Sequence, residues 1–170
     1  MATVRRTWRF RQPAERVWAV IGRVELLHTW WPGIVDCEMS TDEDGNTVRT
    51  ITMSNGIPAP ETILELDHLQ RHLTYRLSLP IIQFHRCTVD VVELSEDECL
   101  VVYLTDCVPN PMALIVGGGS GGALEELGRQ FDAGTGPALV AAGLVGPEVA
   151  ENGTSGGGAT TPDARATAAD

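Results

Sequence analysis

Between Ile34 and Val108 the chain breaks into six short runs of alternating apolar and polar residues. The runs are Ile34–Ser40, Asn46–Met53, Glu61–Asp67, His72–Leu79, Phe84–Leu94 and Glu98–Val108. Their joins, such as Asp42-Glu43-Asp44-Gly45, Asn55-Gly56-Ile57-Pro58 and Ser95-Glu96-Asp97, are turn-formers too short for a crossover helix. Strands joined this way pair antiparallel, in sequence order. His72–Leu79 shows the faces clearly, with Leu73, Tyr75, Leu77 and Leu79 on one side and His72, Thr74, Arg76 and Ser78 on the other.

Residues 3–11 alternate as a further strand, and Gln12-Pro13-Ala14-Glu15 opens a helix with proline at its first position. Val17, Val20, Ile21 and Val24 give that helix an apolar stripe. A second short helix is expected from Val24 to Trp30, stopped by Trp31-Pro32-Gly33. After the meander, Pro109-Asn110-Pro111 ends the sheet and Gly117–Gly122 reads as a flexible joint. Ala123–Ala133 then reads as a helix burying Leu124, Leu127 and Phe131. A break at Gly134-Thr135-Gly136-Pro137 precedes a restart over Pro137–Leu144. The expectation is an α+β domain over residues 1–145 in the order β-α-α-β6-α, its seven-stranded antiparallel sheet curving round a long C-terminal helix. Residues 146–170, rich in Gly, Ala and Thr, are expected to form a disordered acidic tail.

All 12 basic residues are arginine, against 23 acidic ones, for a formal charge of −11. That balance argues against nucleic acid and anionic membrane surfaces as partners. No apolar run approaches the roughly 20 residues of a membrane helix. The N-terminus lacks the apolar stretch of a signal peptide, so a cytoplasmic location is expected. Cys37, Cys87, Cys99 and Cys107 show no C-x-x-C spacing and sit in strand-like runs, which suits buried free thiols better than zinc ligands. No nucleophile elbow, P-loop, HExxH or dinucleotide fingerprint is present, so no metal or cofactor is expected.

The order of elements and five stretches resemble the START-like and Bet v 1-like (SRPBCC) superfamily of helix-grip proteins, including polyketide cyclase/dehydratase-like members. The stretches are Pro13-Ala14-Glu15-Arg16-Val17-Trp18, Trp31-Pro32-Gly33-Ile34, Val48-Arg49-Thr50-Ile51 with Gly56, Glu61–Asp67, and Leu73-Thr74-Tyr75-Arg76. Asn55-Gly56-Ile57-Pro58-Ala59 further resembles the gate of plant abscisic-acid receptors, and His85-Arg86 their latch. The position at which those receptors hold a lysine against the hormone's carboxylate is Val35 here, and the chain has no lysine. The resemblance therefore implies a lidded apolar cavity, without implying the hormone.

Such a cavity lies between sheet and long helix. Strand parity nominates Ile51, Met53, Tyr75 and Leu77 as lining, together with Arg49 and Glu61. The gate adds Ile57 and Pro58, and the helix adds Leu124, Leu127 and Phe131. Trp30 is a mouth or core aromatic, and Tyr103 a possible hydrogen-bond donor into the hollow. Arg49 and Glu61 face inward from adjacent strands and need partners, either as a structural ion pair or as a working pair. In the working pair Arg49 holds a ligand oxygen, Glu61 or His85 moves a proton and Tyr75 assists. His68 and His72 are four residues apart but straddle a hairpin turn, and His28 ends a helix, so neither suggests chemistry. Three functions stay open: a cofactor-free cyclase/dehydratase-like enzyme, a carrier or sensor of a small hydrophobic molecule, and an interaction module without a working pocket. The chain would act as a monomer or a homodimer.

Overall fold

The computed structural model describes residues 1–147, so nearly all of the expected tail, from residue 148, lies outside the described residues. The elements are β1 (Ala2–Phe10), α1 (Ala14–Ile21), a 3₁₀ turn (Val24–Thr29), β2 (Ile34–Thr41), β3 (Thr47–Met53), β4 (Pro58–Asp67), β5 (His72–Leu77), β6 (Phe84–Ser95), β7 (Glu98–Val108), α2 (Asn110–Ala133) and α3 (Pro137–Ala141). The strands form one sheet in the order β1-β7-β6-β5-β4-β3-β2, antiparallel throughout. Each step from β2 to β7 joins neighbours, and only β1 returns from the start of the chain to lie beside β7.

Side-chain acceptors hold the turns. Asp42 Oδ1 accepts from the backbone N–H groups of Asp44 and Asn46 at 3.0 and 2.8 Å. Asp67 Oδ1 accepts from those of Leu69 and Gln70 at 2.8 and 2.9 Å. Register shifts at Ile34/Asp36, Ile63/Glu65 and Glu93/Ser95 insert extra residues into β2, β4 and β6. Bulges of this kind bend a strand and increase its twist, which lets the sheet wrap a helix. Val17 and Val20 of α1, Val89 and Val101 of the sheet, and Leu124 and Leu127 of α2 are buried together in the core.

The expected hinge is not one. Gly117–Gly122 runs through the middle of α2, which begins at Asn110 rather than Ala123. The glycines are there because the helix lies very close to β1. A Cβ at Gly117 would stand 2.5 Å from Val4 Cγ1, and one at Gly128 2.4 Å from Trp8 Nε1. At Gly121 it would come within 3.3 Å of Arg6 Cδ. Val4, Arg6 and Trp8 share one face of β1, so glycine composition here encodes interaxial distance and not flexibility. Past α2, Gly134 adopts a left-handed conformation at φ 66° and ends the helix. The buried amide of Gln130 then gathers the flanking pieces. Its Nε2 donates to the Thr29 carbonyl at 3.1 Å, and its Oε1 accepts from the Ala138 N–H at 2.9 Å.

All four cysteines are free. Burial pushes the Cys87 thiol up to about 12 and those of Cys37 and Cys99 to about 11. A disulfide-exchange reagent at pH 8 should therefore release almost no thiol from the native protein and four equivalents after denaturation. A prompt native equivalent would show that one of these strands opens readily.

Candidate ligand-binding site

Arg49 on β3 and Glu61 on β4 stand directly opposite each other in register. Both point to the inner face and both are buried. Arg49 Nε donates to Glu61 Oε2 at 2.8 Å, and Nη2 lies 2.7 Å from the same oxygen. Nη1 donates to the Val24 carbonyl of the 3₁₀ turn at 3.0 Å, and the guanidinium carbon sits 5.0 Å from the centre of the Tyr75 ring. Burial alone would lower the arginine's pKa, but Glu61 and its hydrogen bond hold it above the ordinary value, so the cation persists. Glu61 is raised, chiefly by loss of water and with Arg49 pulling the other way. Tyr75 and Tyr103 share a 2.6 Å hydroxyl–hydroxyl hydrogen bond, and burial keeps both protonated.

Above this polar floor lies a hollow of about 280 Å³ between the sheet and the first half of α2. Of the expected lining, Ile51, Met53, Ile57, Glu61, Tyr75 and Leu77 surround it. The helix supplies Met112, Ile115, Val116 and Gly119 instead of Leu124, Leu127 and Phe131. Those three belong to the closed core, where Phe131 meets Phe10 edge-on at 5.6 Å. The difference follows from α2 starting thirteen residues earlier than the glycine pattern suggests, at 110 against 123. Trp30 is likewise in the core, and its neighbour Trp31 faces the hollow. Pro58, expected in a gate loop, is an exposed residue of β4, and parity turns Ala59 inward in its place. The gate is a tight turn, with the Met53 N–H bonded to the Ile57 carbonyl at 3.0 Å and Asn55 Oδ1 accepting from the Ile57 N–H at 3.1 Å. Tyr103 is not among the lining residues and stands behind two that are, Tyr75 and Trp31. Arg49 stands behind Glu61 and is not among the lining residues.

His85 falls outside this hollow. It borders a second one of about 430 Å³ formed with the β5–β6 connection, and Leu77, Leu79 and Ile82 form the wall common to both. The Leu77 N–H donates to His85 Nδ1 at 3.0 Å. A backbone N–H can only donate, so the ring proton sits on Nε2. Burial depresses the pKa to about 4, with Asp106 partly offsetting it. His85 should therefore stay neutral in an NMR titration from pH 8 to 5. Because its folded pKa lies below the unfolded value, its neutral form stabilises the fold above about pH 6.5. Roughly 1–3 kcal/mol of that stability is lost as the pH falls from there towards 4. A midpoint near 6.5 in the folded protein would refute the buried, neutral assignment.

The remaining histidines lie elsewhere. His68 Nδ1 accepts from Trp18 Nε1 at 3.2 Å. His72 pairs with Asp90 on the outer face, Nδ1 to Oδ1 2.6 Å. His28 is exposed. Among the described residues, no group of three or more His, Cys, Asp or Glu side chains is placed to hold a metal ion. None of the described helices is long and apolar enough to cross a membrane.

A curved antiparallel sheet closed round one long helix, with an apolar hollow over a buried ion pair, defines a helix-grip protein of the ligand-binding kind. The chain belongs to the family described as polyketide cyclase / dehydrase and lipid transport, whose profile matches residues 1–136. No curated protein matches it. Among solved structures it is similar to the protein XoxI from Bacillus cereus, at 23% identity and TM-score 0.69, over 77% of this chain and 96% of that one. It is also similar to the Zhui aromatase/cyclase from Streptomyces sp. R1128, at 19% identity and TM-score 0.62, over 79% and 98% of the two chains. Norcoclaurine synthase from Thalictrum flavum, in complex with dopamine and hydroxybenzaldehyde, shares 16% identity at TM-score 0.57, over 74% and 85%. At these identities the likeness is one of fold.

Proposed function

We propose that this protein takes a small, largely apolar molecule into the 280 Å³ hollow and moves a proton on it, as a cofactor-free enzyme of the cyclase/dehydratase type. The observation that carries this reading is Glu61, a buried carboxylate of raised pKa on the wall of an otherwise apolar hollow. Such a group is a stronger base than a solvated carboxylate, and once protonated it holds its proton closer to neutral pH, where it can serve as the acid. In an aldol closure it would take the proton from the carbon beside one carbonyl and give it to the alkoxide left on the other carbonyl as the carbon–carbon bond forms. In a dehydration it would take a proton from the carbon next to the carbinol and give it to the departing hydroxyl, which leaves as water as the carbon–carbon double bond forms. Arg49 is a positioning residue, holding Oε2 and leaving Oε1 available. Tyr75 shapes the floor, and His85, one strand away, would act on the neighbouring hollow. Holding a flexible chain against these walls would supply much of the rate, since orientation alone can be worth several kcal/mol.

A second reading, a carrier that performs no chemistry, draws on a specific observation. The polar groups under the hollow are already engaged with one another, Arg49 with Glu61 and Tyr75 with Tyr103. Native mass spectrometry of freshly purified protein separates the readings. For the enzyme, a bound apolar molecule is expected, and Glu61→Gln should accumulate it in an unconverted form, heavier by one water where dehydration is the step and distinguished by its fragmentation where closure alone is. The same molecule on both proteins, identical in mass and fragmentation and unchanged on incubation, supports the carrier. A protein that holds no small molecule, and takes up none offered to it, overturns both.

A further inference from the structure

The hollow's polarity is one-sided. Among the described residues that line it, Glu61 alone carries a charge, and its neighbours Ile51, Met53, Leu77, Val116 and Ile115 offer no polar side-chain atom. Both close guanidinium contacts converge on Oε2, and Oε1 accepts no hydrogen bond from the described residues. Asn55 is exposed in its turn, with its oxygen spent on the Ile57 N–H. Tyr75, the other buried polar side chain on the wall, has its hydroxyl tied to Tyr103. On the buried wall Glu61 Oε1 is thus an unmet acceptor, and what it demands is a donor.

We infer, on the reading that a small apolar molecule occupies this hollow, that its ligand is an uncharged apolar skeleton bearing a hydroxyl group, which donates to Glu61 Oε1. Charge balance excludes the alternatives. The buried guanidinium cannot give up its proton, so the carboxylate stays ionised beside it at neutral pH and the pair sums to zero. A ligand carboxylate would bring a second anion against Oε1 among apolar side chains, where neither charge is well solvated. An ammonium group would leave a net buried cation. A ketone or ether oxygen aimed at Oε1 would set acceptor against acceptor and leave both unsatisfied. A hydroxyl adds no charge and completes the carboxylate. Sites built around a single buried polar partner discriminate strongly against analogues that cannot match it. The volume, at the low end of the ligand-pocket range, suits a molecule of about two fused rings.

Three probes of nearly one shape test this on the full chain by equilibrium dialysis at pH 7: 2-naphthol, 2-methoxynaphthalene and 2-naphthoate. The ether is the more apolar of the two neutral probes, so burial alone would favour it. The expected result is naphthol bound at least ten-fold more tightly than its ether, with naphthoate weakest. The double variant Arg49→Met/Glu61→Leu, which removes both charges together, should abolish the preference and bind the ether at least as well as naphthol. Equal binding of naphthol and ether by the native protein overturns the donor requirement while leaving occupancy of the hollow intact. Naphthoate binding tightest also overturns it, since a cationic anchor would then govern the site. Binding of none of the three overturns this inference together with the reading on which it rests. The comparison on native protein decides the matter even if the variant does not fold.

Discussion

Arg49→Met is expected to destabilise the protein by about 3–5 kcal/mol, the cost of leaving one member of a buried ion pair without its partner. The side chains of Arg49 and Glu61 are 1% and 5% exposed, so water cannot enter to replace the lost guanidinium. Methionine fills similar volume, which confines the effect to charge. The double variant Arg49→Met/Glu61→Leu should recover most of the loss, because two apolar residues of matching size remove both charges from the interior. A pH signature accompanies the single variant. Glu61 is raised already by burial, and without Arg49 it rises further. Stability held by its protonated form is present below the unfolded carboxylate range and is lost as pH rises through the folded pKa. The defect should therefore be greatest at neutral pH and shrink in acid. Urea denaturation at pH 7 and pH 4.5 measures both effects. A single variant within 1 kcal/mol of the parent at pH 7 would show that the pair is hydrated, contrary to its burial.

The second large effect sits on α2. Gly128→Ala should lower stability by roughly 1–3 kcal/mol, because its Cβ would stand 2.4 Å from Trp8 Nε1 and 2.7 Å from Cε2 of the same rigid indole. Helix propensity returns at most about 1 kcal/mol, so strain prevails. Gly118 and Gly122 are exposed on the same helix, and a Cβ there would meet nothing within 4 Å. Alanine at those two sites should raise stability by about 0.5–1 kcal/mol each, near 2–4 °C in Tm for a domain of this size. The contrast between faces of one helix is the test. If alanine at all three sites stabilises equally, close packing of α2 on β1 is not what keeps the glycines there.

That helix also shows where sequence reading reached its limit. Period-two alternation made the strands legible to within a residue or two at most ends, because each inner residue must be apolar or paired. It also put Arg49 and Glu61 on the inner faces of adjacent strands, and the register sets them directly opposite each other. Glycine carries no such phase. Five glycines in six positions signal flexibility when read locally, and only the bulk of Val4 and Arg6, more than a hundred residues earlier, shows that Gly117 and Gly121 are contact points. A helix starting at Ala123 puts the wrong stretch of α2 against the hollow, with Leu124, Leu127 and Phe131 where Met112, Ile115 and Val116 stand. The signal available was the pair Pro109 and Pro111, which suits a helix N-terminus as well as a strand's end. Trp30 and Trp31 posed a smaller version of the problem, since at the end of a 3₁₀ turn adjacent residues diverge by an angle that composition does not encode.

The Gln130 amide has a consequence for where the folding unit stops. The family match ends at residue 136, yet Gln130 Oε1 reaches Ala138, Leu139 is fully enclosed, and Leu144 and Val145 pack on the same core. A fragment cut at 136 would leave a buried carbonyl oxygen without a donor and open a leucine-sized void beside α2 and the 3₁₀ turn. The shortest version fit for expression or crystallisation therefore runs at least through Val145.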